Sequence, residues 1–106
     1  MMNKKINKPL TQPMYYVLLS LIEKRHGYEI MTYIEELTNG RVKVGPGTLY
    51  SMLSRFEEDG YIDMVEEIDN KKLYKISEIG LDILNQEVKR INNLLKDYEK
   101  VKEELK

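Results

Sequence analysis

Gly45-Pro46-Gly47-Thr48-Leu49-Tyr50-Ser51-Met52-Leu53-Ser54-Arg55-Phe56 is the stretch on which the fold turns, together with the residues that follow it to Ser77. Proline suits the first position of a helix, where no intrahelical N–H is needed, so Pro46 opens a helix predicted to run to about Asp59. Leu49, Met52, Leu53 and Phe56 fall on one stripe of that helix. The opposite face holds Gly47, Ser51, Ser54, Arg55 and Glu58, flanked by Thr48 and Tyr50. Lys and Glu usually fill a solvated face, and this one is small and polar instead. Beyond it the hydrophobic period shortens to two over 61–68 and 72–77, which predicts a β-hairpin turning at Asp69-Asn70-Lys71.

Working outward, the upstream sequence reads as two more helices. Met14, Val17, Leu18, Leu21 and Ile22 recur at helical spacing and predict a first helix from Thr11 to Lys24. Ile30, Met31, Ile34 and Leu37 do the same from Gly27 to about Thr38, where Asn39-Gly40 supplies a stop. Downstream, Ser77 can cap a long last helix of about 28 residues. Its Leu81, Leu84, Val88, Ile91, Leu95 and Tyr98 alternate spacings of three and four, a heptad seam. The expected fold is mainly α with a small β-hairpin, a winged helix-turn-helix plus a long C-terminal dimerisation helix. Its parts are a flexible basic arm over 1–10, a winged-helix domain over 11–77 and the dimerisation helix over 78–106.

Length and composition agree with one small domain. At 106 residues without cysteine, the chain buries a modest core and has no disulfide to stabilise it, so self-association is expected. No apolar run approaches the roughly 18 residues of a membrane span, and the start carries no signal-peptide pattern. A cytoplasmic location is expected, with no membrane partner. Seventeen basic against eighteen acidic residues give a net charge of -1, which argues against a uniformly basic nucleic-acid binder but not against local clusters.

In a winged helix the third helix enters the major groove and the hairpin flanks it. Gly47, Ser51 and Ser54 keep the helix face low enough to approach base edges, while Thr48, Tyr50 and Arg55 supply hydrogen-bonding groups. Lys43, Lys71, Lys72 and Lys75 are placed for phosphates. The plainer readings stand beside these: an amphipathic helix with a solvated face, and lysines that blunt an exposed strand edge. Leu84, Val88, Ile91, Leu95 and Tyr98 are expected at a dimer seam, although the first of them can also pack against its own domain. Met14, Tyr15, Tyr16 and Tyr98 either line a small-molecule effector pocket at that interface or simply fill it.

Enzyme chemistry lacks its parts. There is no phosphate-binding glycine loop, no cysteine nucleophile and a single histidine, His26, which reads as a cap for the second helix. No metal and no cofactor are expected.

The segments His26-Gly27-Tyr28-Glu29-Ile30, Pro46-Gly47-Thr48-Leu49-Tyr50 and Leu53 through Glu57-Glu58-Asp59-Gly60-Tyr61-Ile62, with Tyr74-Lys75-Ile76-Ser77 leading to Gly80, resemble the PadR family of transcriptional regulators in order and spacing. The resemblance covers about 10–80 and matches the shorter branch, which has a single C-terminal helix. It implies a homodimer that binds inverted-repeat operators in double-stranded DNA, acts as a repressor and is released by a small molecule or another signal. The pattern departs at the wing, where many relatives carry an Arg- and Gly-rich tip and this chain has Asp69-Asn70 and Leu73. The alternative from another class is a winged-helix adaptor that binds protein and not DNA.

Overall fold

A computed structural model describes residues 9–105; the lysines of the basic arm lie outside them. The elements in chain order are α1 (Gln12–Ser20), α2 (Gly27–Leu37), α3 (Pro46–Glu58), β1 (Ile62–Ile68), β2 (Lys71–Ile76) and α4 (Glu78–Glu104). Three helices, an antiparallel hairpin and a 27-residue helix give the mainly α winged helix-turn-helix expected from the sequence.

Helices α1, α2 and α4 each start where a side chain satisfies a free N–H group, while α3 starts at Gly45 with Pro46 in its first turn and no side-chain cap. The Thr11 hydroxyl accepts from Met14 N at 3.3 Å, and the Ser77 hydroxyl accepts from Gly80 N at 3.0 Å. His26 does the same for α2 through Nδ1, which accepts from Glu29 N, while the Glu29 carboxylate accepts from His26 N at 3.0 Å. That reciprocal box is the structural role expected of the lone histidine. Helix α2 stops at Asn39 and Gly40, both at positive φ (52° and 79°), and Gly40 N donates to Glu35 O at 2.8 Å.

Helix α1 is shorter than its apolar spacing predicts, ending at Ser20 and not Lys24. The cause is a competing partner. The chain after Ser20 peels away to meet β2: Ile76 N donates to Leu21 O at 2.7 Å, and Arg25 and Tyr74 exchange backbone hydrogen bonds of 3.0 and 2.9 Å. The Arg25 guanidinium meanwhile donates to Ser20 O at the freed helix end and stacks 3.8 Å from the centre of the Tyr33 ring. Ile22, expected in the core, is exposed as a result.

The core gathers Val17, Leu18 and Leu21, Ile30 and Ile34, and Leu49, Leu53 and Phe56 from the three short helices, closed by Ile62, Ile83 and Leu84. Each such side chain, fully buried, stabilises by about 1.5–3 kcal/mol. Leu84, assigned by its spacing to the dimer seam, is 2% exposed within its own chain. It belongs to this core, because the first turns of α4 lie against α1 before the helix runs clear of the domain. The same turns carry a buried carboxylate. Glu87 accepts from Arg90 at 2.6 and 3.1 Å and from Leu10 N at 3.4 Å.

The hairpin turns in two residues, Asp69 and Asn70, both at positive φ (51° and 65°), as a type I′ turn requires. Lys71, expected in the turn, is therefore the first residue of β2 and pairs with Ile68. A register shift between Met64 and Glu66 marks a bulge that adds twist.

Candidate nucleic-acid interface

Helix α3 is held from behind. Leu49, Leu53 and Phe56 are buried, while Gly47, Thr48, Tyr50, Ser51, Ser54 and Arg55 are all exposed. The low face read from the sequence is thus presented outward, and it divides into two rows. Gly47, Thr48, Ser51 and Arg55 border a hollow of about 700 Å³ between α3 and the start of α1, where Thr11 and Met14 form the far wall and Met52 and Phe56 the floor. Tyr50 and Ser54 lie on the other flank. Tyr50 leans back toward α2, so that a Cβ added at Gly27 would meet its hydroxyl oxygen at 2.3 Å. Gly27 thereby makes room for Tyr50, a pairing that two separate motifs of the sequence did not disclose.

The cations of the site are less free than the sequence suggests. Lys43 lies 3.8 Å from Glu35, and Arg55 Nε lies 3.4 Å from the Asp59 carboxylate. On the wing, the pairing register sets Lys75 across from Asp63 and Lys72 across from Glu67, whereas Lys71 faces Ile68. Directly opposite residues project on the same face of a sheet and interact. Two of the three wing lysines therefore sit in the field of a carboxylate, and Lys71 alone faces an apolar partner across the ladder. Glu66 pairs instead with Lys24, a cation that the sequence did not single out. Burial, with the Asp59 charge adding to it, pushes the Tyr61 phenol above its ordinary range, so it remains a neutral hydroxyl beside this end of α3.

The four residues considered for an effector pocket do not converge within one chain. Met14 borders the α3 hollow. Tyr15 and Tyr16 pack edge to face with ring centres 5.2 Å apart, against the core. Tyr98 stands exposed on α4, about 21 Å along the helix from Leu84.

A helix with a buried back and a low polar front, followed at once by a twisted hairpin, defines the winged helix-turn-helix class of regulator domains. Comparison with known proteins narrows it: residues 17–86 match the transcriptional regulator PadR-like family. The chain belongs to that family, whose members are transcriptional regulators and not enzymes. It is 33% identical over 72 residues to the transcriptional regulator YqjI of Escherichia coli, a match over 66% of this chain and 35% of that protein. The chain thus spans about a third of the length of this relative. Its fold resembles a transcriptional regulator from Clostridium thermocellum (TM-score 0.71, 28% identity, 82% of this chain and 89% of the other). It also resembles Bacillus subtilis PadR in complex with operator DNA (TM-score 0.65, 23% identity, 74% and 47%). Among the described residues no helix is long and apolar enough to cross a membrane.

Proposed function

We propose that this chain is a DNA-binding repressor that grips an inverted-repeat operator as a homodimer, with one α3 in the major groove of each half-site. The observation that carries the reading is the exposed row of Gly47, Thr48, Ser51 and Arg55 on a helix whose other side is locked in the core. Small side chains let the helix approach base edges closely, and an arginine there offers a bidentate donor. The operator complex of Bacillus subtilis PadR supports it from outside. Thr48, Ser51 and Arg55 face the bases, with Tyr50 and Ser54 at their flank. Lys43, Lys71, Lys72 and Lys75 approach phosphates, Lys71 most effectively because no carboxylate lies across from it.

Dimerisation falls to the part of α4 that leaves the domain, where Val88, Ile91, Leu95 and Tyr98 are exposed together with Leu94 and Val101. Self-association buries that stripe and places two recognition helices about a two-fold axis. Occupancy of a promoter then blocks transcription, and a small molecule lodged at the interface beside Tyr15, Tyr16 and the partner helix relieves the block by altering the spacing of the two α3 helices.

The test selects bound fragments from genomic DNA and measures affinity for the enriched duplex across a salt series. An inverted repeat and a steep fall of log K with log salt are expected. Arg55→Ala lowers operator affinity by roughly ten- to a hundredfold while affinity for random duplex changes far less. Unchanged operator affinity in that variant would show that α3 does not read DNA through this face.

A further inference from the structure

Three carboxylates close helix α3: Glu57, Glu58 and the C-cap residue Asp59. Negative charge at a helix C-terminus works against the macrodipole. Asp59 is the one that meets a cation, facing Arg55 four residues earlier at 3.4 Å. That pair runs base first and acid second, the weaker of the two orders along a helix. The Arg55 side chain is 73% exposed, and an exposed pair of this kind adds little to stability. Helix stability therefore gives no reason for an aspartate at this position.

The contact does accomplish something else. The carboxylate sits at ion-pair distance from the guanidinium, 3.4 Å from Nε, and no guanidinium nitrogen has a hydrogen-bond partner among the described residues. A free arginine on an exposed helix samples many rotamers and loses that freedom when it docks. One drawn toward a carboxylate four residues on samples fewer of them, and its fork, left without a hydrogen bond, matches O6 and N7 of guanine in the major groove.

We propose that Asp59 is a positioning residue that aims the terminal nitrogens of Arg55 at a guanine in each half-site, and so sets base specificity without touching a base. The inference rests on the proposed reading of DNA by α3. A fixed negative charge beside the duplex also repels phosphate wherever the guanine contact is missing, so Asp59 raises discrimination at some cost in raw affinity.

The experiment uses the full chain and the selected operator, with each half-site guanine replaced in turn by 7-deazaguanine, which lacks the N7 acceptor. In the parent protein one guanine per half-site carries a penalty of roughly tenfold or more, and Arg55→Ala abolishes it. Asp59→Asn cuts the penalty at the same guanine to under roughly threefold, in line with loss of one oriented contact, while its affinity for random duplex is equal or higher. Asp59→Glu restores the penalty, and thermal unfolding of Asp59→Asn is unchanged or slightly raised.

An Asp59→Asn protein that keeps the full guanine penalty overturns the proposal. So does one that loses operator and random affinity together with a lowered unfolding midpoint, which would mark a structural role. Failure of the underlying reading looks different. There the parent protein does not discriminate operator from random duplex, and the proposal falls with it.

Discussion

At the scale of single residues, two glycines separate a hard requirement from a soft one. A Cβ at Gly80 would lie 2.0 Å from the backbone oxygen of Tyr61, and that oxygen is fixed because it accepts from Ser77 N at 2.9 Å. Ser77 also donates its hydroxyl to Gly60 O at 2.6 Å, so the end of α3, the foot of the hairpin and the cap of α4 meet at this point. At Gly27 the obstacle is the end of the exposed Tyr50 side chain, which can swing away. Gly80→Ala is therefore expected to destabilise the fold by about 3 kcal/mol, the upper part of the range for overpacking. Gly27→Ala should stay within about 1 kcal/mol, the usual range when a flexible neighbour can yield. Denaturant unfolding of the two variants checks the contrast. The capping roles of His26 and Ser77 were legible in the sequence because their partners lie three residues away, and Thr11, read as the first helical residue, is the cap of α1. The role of Gly80 was not, because what crowds it lies 19 residues back in the chain.

At the scale of elements, the wing shows why counting lysines misleads. Lys71, Lys72 and Lys75 look like one basic cluster in the sequence, but the ladder assigns each a different neighbour: Ile68, Glu67 and Asp63. If the wing flanks the operator as proposed, Lys71→Ala lowers the slope of log K against log salt by about one. Lys72→Ala or Lys75→Ala lowers it by clearly less, since a phosphate must first compete with the carboxylate opposite. Equal slopes for the three variants would show that cross-strand charge does not govern the wing. The hairpin itself was readable from alternation and from Asp69-Asn70, whereas its register was not, because the bulge after Met64 shifts every pair beyond it. The premature end of α1 escaped for a similar reason. Apolar spacing through Ile22 favours continuing the helix, and only the arrival of β2 diverts the backbone.

At the scale of the whole molecule, the described residues extend 59 Å along their longest axis, far more than a domain of this size needs, and α4 accounts for the excess. Ile91 is 41%, Leu95 51% and Tyr98 60% exposed in the single chain. A double change of Ile91 and Leu95 to Asp should convert the proposed dimer to monomer in sedimentation equilibrium and leave the helical signal of the domain in place, because neither residue belongs to its core. A sedimenting mass that did not change would move the interface elsewhere. The heptad seam was legible from spacing alone, but where the core ends and the overhang begins was not, since Leu84 and Val88 carry the same pattern and only the first is covered. One feature at that boundary ties α4 to the start of α1. Glu87, adjacent to the seam, holds the chain entering α1 through Leu10 N, and its hydrogen bonds with Arg90 keep its carboxyl below the ordinary carboxylate range. Stability from this clasp is complete above the usual glutamate pKa and is lost only as pH falls through the depressed value, so near neutrality it stays shut. If the chain pairs as proposed, each protomer turns as one solid piece, and the distance between its reading head and its twin's is adjusted by one long helix rolling on another, as teeth advance in a gear.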